Sequence, residues 1–376
     1  MQNSAAGASS AIKNAARQLG FDLVGIAPAR RPPHADFYLD WLSRGYYGEM
    51  SYLARPDAVE RRLQPDAALP GARSIVVVAL NYMNGGDGPL TDPKRPVIAR
   101  YARGEDYHSV FEEKLERLAE TVRAIAGNGT AAKCYVDYGP VLERDHAQRA
   151  GLGWIAKNTM LINQTMGSYL FLGEILTDAQ LAPDPAFQPD HCGTCERCIW
   201  ACPTGAIAGP REVDARLCIS YLTIELRGPI PLELRPLIGN RVFGCDICQE
   251  VCPWNKDAPQ TGEPRLRPRE EVTGPELIQL MTLTEKAFGE RYGGTAIARA
   301  RRRGFLRNVA VALGNWGDSA AVPALLRALE DQDPLVRGHA AWALGRTGAV
   351  AAVRALELRL AGEADGWVRT EIELAL

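Results

Sequence analysis

The chain has 376 residues, 43 Lys and Arg against 45 Asp and Glu for a net charge of -2, and 46% hydrophobic content. That length excludes a single small module and suits two or three domains, and the apolar share excludes global disorder. Near-neutral charge gives no global pull toward nucleic acid or anionic membrane, so any basic binding surface must be local.

The first twenty residues, MQNSAAGASSAIKNAARQLG, lack the apolar core of a signal peptide and read as a polar lead into an amphipathic helix. No apolar run approaches the roughly 18 residues of a membrane span. No membrane association and a cytoplasmic location are expected. To about residue 180, Ala-rich helical stretches alternate with β-branched runs, an α/β pattern. Strands are predicted over residues 74–80, 133–137 and 168–176, a helix over 110–125 and a loop over 85–89. Pro183, Pro185 and Pro189 mark a boundary before a cysteine-rich block, and residues 257–271 read as the next linker. Beyond them the chain turns to Ala, Leu and Arg at helical spacing. There NVAVALG at 308–314 recurs as HAAWALG at 339–345, the look of stacked HEAT-type helix pairs; an irregular bundle is the plainer alternative. The expected fold is a multidomain α+β chain divided at 1–180, 181–262 and 263–376.

Eight of nine cysteines fall between Cys192 and Cys252. Cys192, Cys195, Cys198 and Cys202, followed by Pro203, have the spacing of bacterial ferredoxins, in which three thiolates hold one cluster and the fourth reaches the other. A second run, Cys245, Cys248 and Cys252 before Pro253, lacks its first cysteine, which Cys218 replaces from upstream. The crossover rule assigns Cys192, Cys195, Cys198 and Cys252 to one 4Fe-4S cluster, and Cys202, Cys218, Cys245 and Cys248 to the other. Structural zinc is the alternative, although zinc sites rarely need this spacing. Cys134 stands apart in a strand pattern and reads as a structural thiol.

Several segments carry a family likeness: VDYGPVLER at 136–144, GLGWIAKNT at 151–159, FLGEI at 171–175, CISYLTIE at 218–225 and CDICQEVCPWN at 245–255. Together with Arg307-Asn308 they resemble the epoxyqueuosine reductase family over nearly the whole chain. Tyr138 and Ala156 depart from the usual pattern. The resemblance implies a cobalamin-dependent enzyme that reduces the epoxide of epoxyqueuosine in tRNA to queuosine, consuming two electrons and two protons and releasing water. It also implies a cobalamin-binding α/β domain related to reductive dehalogenases, a ferredoxin-like module and a HEAT-like tRNA-binding domain.

An alkoxide leaves poorly without a proton. By resemblance Asp137 is the donor, which requires burial to raise its pKa; Glu143 and Arg144 support its loop. Arg62, Asp137, Asn158, Ser168, Ser220 and Asp246 are the implied cobalamin contacts. Asp106 and His108 echo a cobalt-ligating histidine motif but lack its final Gly, so no histidine ligand to cobalt is expected. Residues 291–376 hold 12 Arg and no Lys against 9 acids. Arg301, Arg302, Arg303 and Arg307, with Arg227 beside the cysteine block, are expected to bind tRNA phosphates. The implied partners are the anticodon region of a queuosine-family tRNA and a reducing protein, and a monomer is expected. A corrinoid reductase of small molecules and a non-catalytic electron carrier are the competing readings.

Overall fold

The computed structural model describes residues 4–85, 92–127 and 129–376, so the loop predicted at 85–89 lies, beyond Gly85, outside the described residues. Four strands, β1 (Leu23–Pro28), β2 (Ser74–Asn81), β3 (Ala132–Tyr135) and β4 (Leu170–Thr177), form a sheet in the order β1-β2-β4-β3. The alternation read from sequence puts helices on both faces of this sheet. Every pairing is antiparallel, with β2 and β4 aligned from Ser74 opposite Thr177 to Asn81 opposite Leu170. β2 is buried at all eight positions, which is why its run of Ile, Val, Ala and Leu shows no polar alternation.

Helices α1 (Ala5–Gln18) and α2 (Tyr107–Ala126) cover one face, where Ile12, Phe111 and Leu118 pack on Val76, Val78 and Ile175. Each helix starts on a side-chain cap: Ser4 Oγ accepts the Gly7 N–H at 3.2 Å, and Asp106 accepts the His108 N–H at 3.1 Å. Helix α3 (Glu143–Arg149) sits over the opposite face, with Ala147 against the layer of Ile75, Val77 and Leu176. β3 ends at Tyr135, two residues short of the prediction. Asp137 has φ of 51°, a left-handed conformation that turns the chain out of the sheet. The loop then folds tightly over Tyr135, because a Cβ on Gly139 would lie 2.6 Å from that side chain.

The cysteine-bearing segment is built from short pieces, including helices Arg197–Ala201, Ile219–Ile224 and Ile247–Glu250. The tail is helical as expected. Helix α4 (Arg301–Trp316) is buried along most of its length against α5 (Pro334–Thr347), which in turn packs on α6 (Gly366–Ala375). Small residues permit this stacking: a Cβ on Gly314 would meet Trp342 at 2.5 Å, and one on Gly338 would meet Trp367 at 2.3 Å. The tail's core also takes in Ile98, Val242 and Phe243, so it grips both preceding segments. Among the described residues no helix is long and apolar enough to cross a membrane.

Candidate functional site

A cavity of about 610 Å³ opens between the loop after β3, the N-terminus of α3 and the cysteine-bearing segment. Its apolar wall includes Phe37, Tyr38, Trp41 and Leu53, and its polar wall Arg62, Asp137, Glu143 and Arg144. The Asp137 carboxylate is hemmed in by protein yet stays 64% exposed toward this space. Tyr107 Oη donates to its Oδ2 at 2.5 Å, and His108 Nε2 approaches the same oxygen at 3.7 Å. His108 Nδ1 bonds Asp106 Oδ1 at 2.7 Å.

These contacts correct the expected titration of Asp137. Burial pushes its carboxyl up, but His108, Tyr107 and the charge of Arg299 outweigh that and hold it below the ordinary carboxylate range. His108 is desolvated, which lowers its pKa, yet Asp106 and Asp137 drive it up to about 9, so an imidazolium faces a carboxylate. Glu143 behaves as Asp137 was expected to. Burial first, and then the Asp137 charge, push it up to about 8.

Of the other implied cobalamin contacts, Arg62 lines the cavity, 7% exposed, its guanidinium 5.9 Å from the Tyr38 ring centre. Asn158, Ser168, Ser220 and Asp246 do not line it. Three of these four have side chains committed to protein. Asn158 Nδ2 donates to the Cys248 carbonyl at 3.2 Å, Ser168 Oγ to Gln249 Oε1 at 2.9 Å, and Asp246 Oδ2 accepts the Arg100 N–H at 2.7 Å. All three bonds tie the sheet domain to the cysteine-bearing segment, and the first ends on the backbone of a cysteine.

All nine cysteines are free, Cys195 exposed and the rest half-buried. Burial pushes up the Cys252 thiol, and the charges of Cys192, Cys198 and Cys195 add to that rise. Burial likewise raises Cys218, with a contribution from Cys202, and Cys248, with contributions from Cys245 and Cys218. Each of these influences runs between sulfurs expected in one set. Cys198 also acts on Cys248, which puts the sets side by side. Among the described residues no three His, Cys, Asp or Glu groups close on one point; a cubane asks for none, since each thiolate takes its own iron. Cys134 lies in β3, and burial pushes its thiol up to about 12, leaving it inert.

The arginine expectations divide. Arg307 is completely buried, donating to the carbonyls of Leu226, Gly228 and Leu222 at 2.8, 2.9 and 2.6 Å, so its assignment to tRNA phosphates is corrected. Arg302 is also spent, on Asp331 and the Leu283 carbonyl. Arg301 is exposed, and Arg303, paired with Asp333 at 3.0 Å, is half-exposed. Arg227 is exposed, with Nη1 on the Arg299 carbonyl at 2.9 Å.

Sequence reasoning missed Tyr107, Arg299 and Glu174. Arg299 makes a two-bond fork to Glu225 at 2.8 and 3.0 Å, lies within electrostatic reach of Asp137, and belongs to the Arg-rich run. Glu174 was visible as the lone acid in the apolar strand LFLGEILT.

Comparison with known proteins agrees with this assembly. Three family profiles match: "Epoxyqueuosine reductase QueG, DUF1730" over residues 62–138, a 4Fe-4S double cluster binding domain over 191–255, and HEAT repeats over 296–376. An epoxyqueuosine reductase of Pseudomonas aeruginosa is 44% identical over 341 residues, covering 90% of this chain and 94% of that one. A crystal structure of epoxyqueuosine reductase with an epoxyqueuosine-modified tRNA-Tyr stem loop superposes with TM-score 0.90 at 35% identity, covering 97% of this chain and 96% of that one. The Bacillus subtilis epoxyqueuosine reductase, solved with its catalytic aspartate loop swung out of the active site, gives 0.89 at the same identity and coverage. With that identity sustained over nine-tenths of its length, this chain belongs to the epoxyqueuosine reductase family.

Proposed function

We propose that the chain reduces epoxyqueuosine in tRNA to queuosine, with cobalamin in the cavity beside Asp137 and two 4Fe-4S clusters on the eight clustered cysteines. The divisions 1–180, 181–262 and 263–376 then correspond to the cobalamin-binding domain, the ferredoxin-like module and the HEAT-like domain. The observation that carries the reading is the placement of Asp137 in a cavity walled by the catalytic loop on one side and the cysteine-bearing segment on the other.

The donor sets fit their groups. Cys192, Cys195, Cys198 and Cys252 would hold one cluster, and Cys202, Cys218, Cys245 and Cys248 the other, a reading supported by the ferredoxin-like spacing and the double-cluster profile over 191–255. Bound cobalamin supplies the strong reductant that an unactivated epoxide requires. The apolar wall of Phe37, Tyr38 and Trp41 suits a large flat ring, and Arg62 and Asp137 would offer it polar atoms. Asn158, Ser168, Ser220 and Asp246 would serve through the backbone they position.

Asp137 gives the proton that lets the epoxide oxygen depart. In this conformation it is ionised, with Tyr107 fixing its Oδ2. Filling the cavity removes water from a carboxylate that is now largely exposed, which favours its protonated form. Exposed Arg227, Arg301 and Arg303 offer forks to RNA phosphates at the tail's edge, and a reducing protein in the same compartment feeds the clusters. A single copy presents the whole cavity, as a monomer requires, and a cytoplasmic location is part of this proposal.

The test is Asp137→Asn. Nucleoside analysis after reaction with epoxyqueuosine-containing tRNA is expected to show a loss of about 100-fold or more, the scale of a general acid, with iron content and tRNA affinity kept. Retained activity would refute the assignment.

A further inference from the structure

Two protons must reach one departing oxygen in the proposed reaction, and Asp137 holds one at a time. Behind it lie two more carboxyls. Glu143 opens α3, and its Oε1 accepts the Asp137 backbone N–H at 2.6 Å, which leaves Oε2 to carry a proton. Glu174 lies in the middle of β4, directly opposite Tyr135 in register and so on the same sheet face. That face is the one that α3 and the catalytic loop cover, for Tyr135, Val141 and Ala147 share its apolar layer.

Glu174 is 0% exposed, and neither of its carboxyl oxygens has a hydrogen-bond partner; Tyr135 Oη beside it also has none. A carboxyl buried in this way is kept neutral, because its charged form would have neither water nor a counter-ion. Such a group in a central strand under a reacting loop asks for an explanation beyond packing. The groups that act on Glu143 are Asp137, Arg144 and Arg62, and Glu143 in turn acts on Glu174. Burial and then Asp137 push Glu143 up to about 8, and burial and then Glu143 push Glu174 well above the carboxylate range. Both are therefore protonated at neutral pH while Asp137 is ionised.

We propose that Glu143 returns a proton to Asp137 after Asp137 has given up its first. The idea rests on the function proposed above. In the step, with the filled cavity favouring a protonated Asp137, the O–H bond at Glu143 Oε2 breaks and an O–H bond forms on the Asp137 carboxylate, leaving Glu143 ionised. Once product has left, a solvent proton entering through the cavity restores Glu143. No electron moves. Glu143 does not touch the substrate and acts through Asp137, while Glu174 stays protonated beneath it, its carboxyl oxygens without hydrogen-bond partners.

Infrared spectroscopy of the apoprotein and single-turnover kinetics of the holoenzyme test this together. Glu143→Gln keeps the acceptor oxygen for the Asp137 N–H and loses only the proton. In the wild-type apoprotein a carboxylic C=O band is expected to vanish as pH rises through about 8; Glu143→Gln removes that band, and Glu174→Gln removes one that persists to higher pH. With epoxyqueuosine-containing tRNA, Glu143→Gln is expected to slow conversion by about tenfold or more and to abolish the decline of the wild-type rate around pH 8, with tRNA affinity unchanged. Glu143→Asp restores part of the rate. Absence of the titrating band, or a Glu143→Gln rate profile identical to wild type, would overturn the proposal. Failure of the wild-type enzyme to form queuosine would instead sink the proposed function, while the infrared titration of the apoprotein still decides the carboxyl pair.

Discussion

Arg307 and Arg301 stand six residues apart in one Arg-rich run, and the structure gives them opposite jobs. The Arg307 guanidinium is wholly enclosed, with Nη1 and Nη2 on three backbone carbonyls and Nε on Asn308 Oδ1 at 2.9 Å. Burial lowers its pKa to about 9, still charged at neutral pH. Arg307→Ala strands those acceptors; at about 1 kcal/mol for each of three buried carbonyls, before the loss of packing, destabilisation reaches at least about 3 kcal/mol. Arg301→Ala removes an exposed side chain and changes stability by less than about 0.5 kcal/mol. It should instead lower the slope of log K against log salt for tRNA binding by roughly 0.7 to 0.9, one phosphate contact. Urea denaturation and fluorescence binding at several salt concentrations separate the two. An Arg307→Ala protein with wild-type stability and a reduced salt slope would refute the assignment of Arg307 to the interior.

Two further outcomes are expected. Arg235 and Glu371 form a two-bond ion pair at 2.7 and 2.6 Å, 1% and 4% exposed, and Glu371→Gln should cost about 3 to 5 kcal/mol in denaturant unfolding because it leaves a buried guanidinium uncompensated. The crossover assignment is checked by Cys252→Ser, which should remove the same cluster signal in electron paramagnetic resonance as Cys192→Ser and halve iron from about eight per chain; loss of the signal that Cys202→Ser removes would reverse it.

The double-cluster cysteine pattern was legible because ligand spacing is a local property, and the helical repeats because apolar periodicity is. Asp137 was legible only through resemblance, since a lone Asp after a strand more often ends it. Its titration was not legible at all: Tyr107 and His108 come from α2, thirty residues away. The arginines failed for a related reason. Composition counted charge, whereas the fold decided which guanidinium met solvent. Asp246 was favoured because it adjoins Cys245, and Asn158 came from resemblance alone; their bonds run to Arg100 and Cys248 and hold the seam.

That seam also explains why a helical repeat so far along the chain matters to the cavity. Arg307 binds Leu222, Leu226 and Gly228, Asn308 binds the carbonyls of Thr223 and Val242, and Asn315 binds those of Arg235 and Gly239. The His339 imidazole accepts the Ile230 N–H at 3.2 Å from the next repeat. Every one of these bonds runs from a tail helix to the backbone of the cysteine-bearing segment. Polar side chains buried in a helix are costly unless satisfied, and once satisfied they fix register in a way that interchangeable apolar contacts cannot. The tail is thus held to the cluster module at fixed height, and Arg299, just before α4, is delivered to the Glu225 fork within electrostatic reach of Asp137. An RNA docked on Arg301 and Arg303, as proposed, would thereby be measured against Asp137 by a braced distance rather than by a flexible arm.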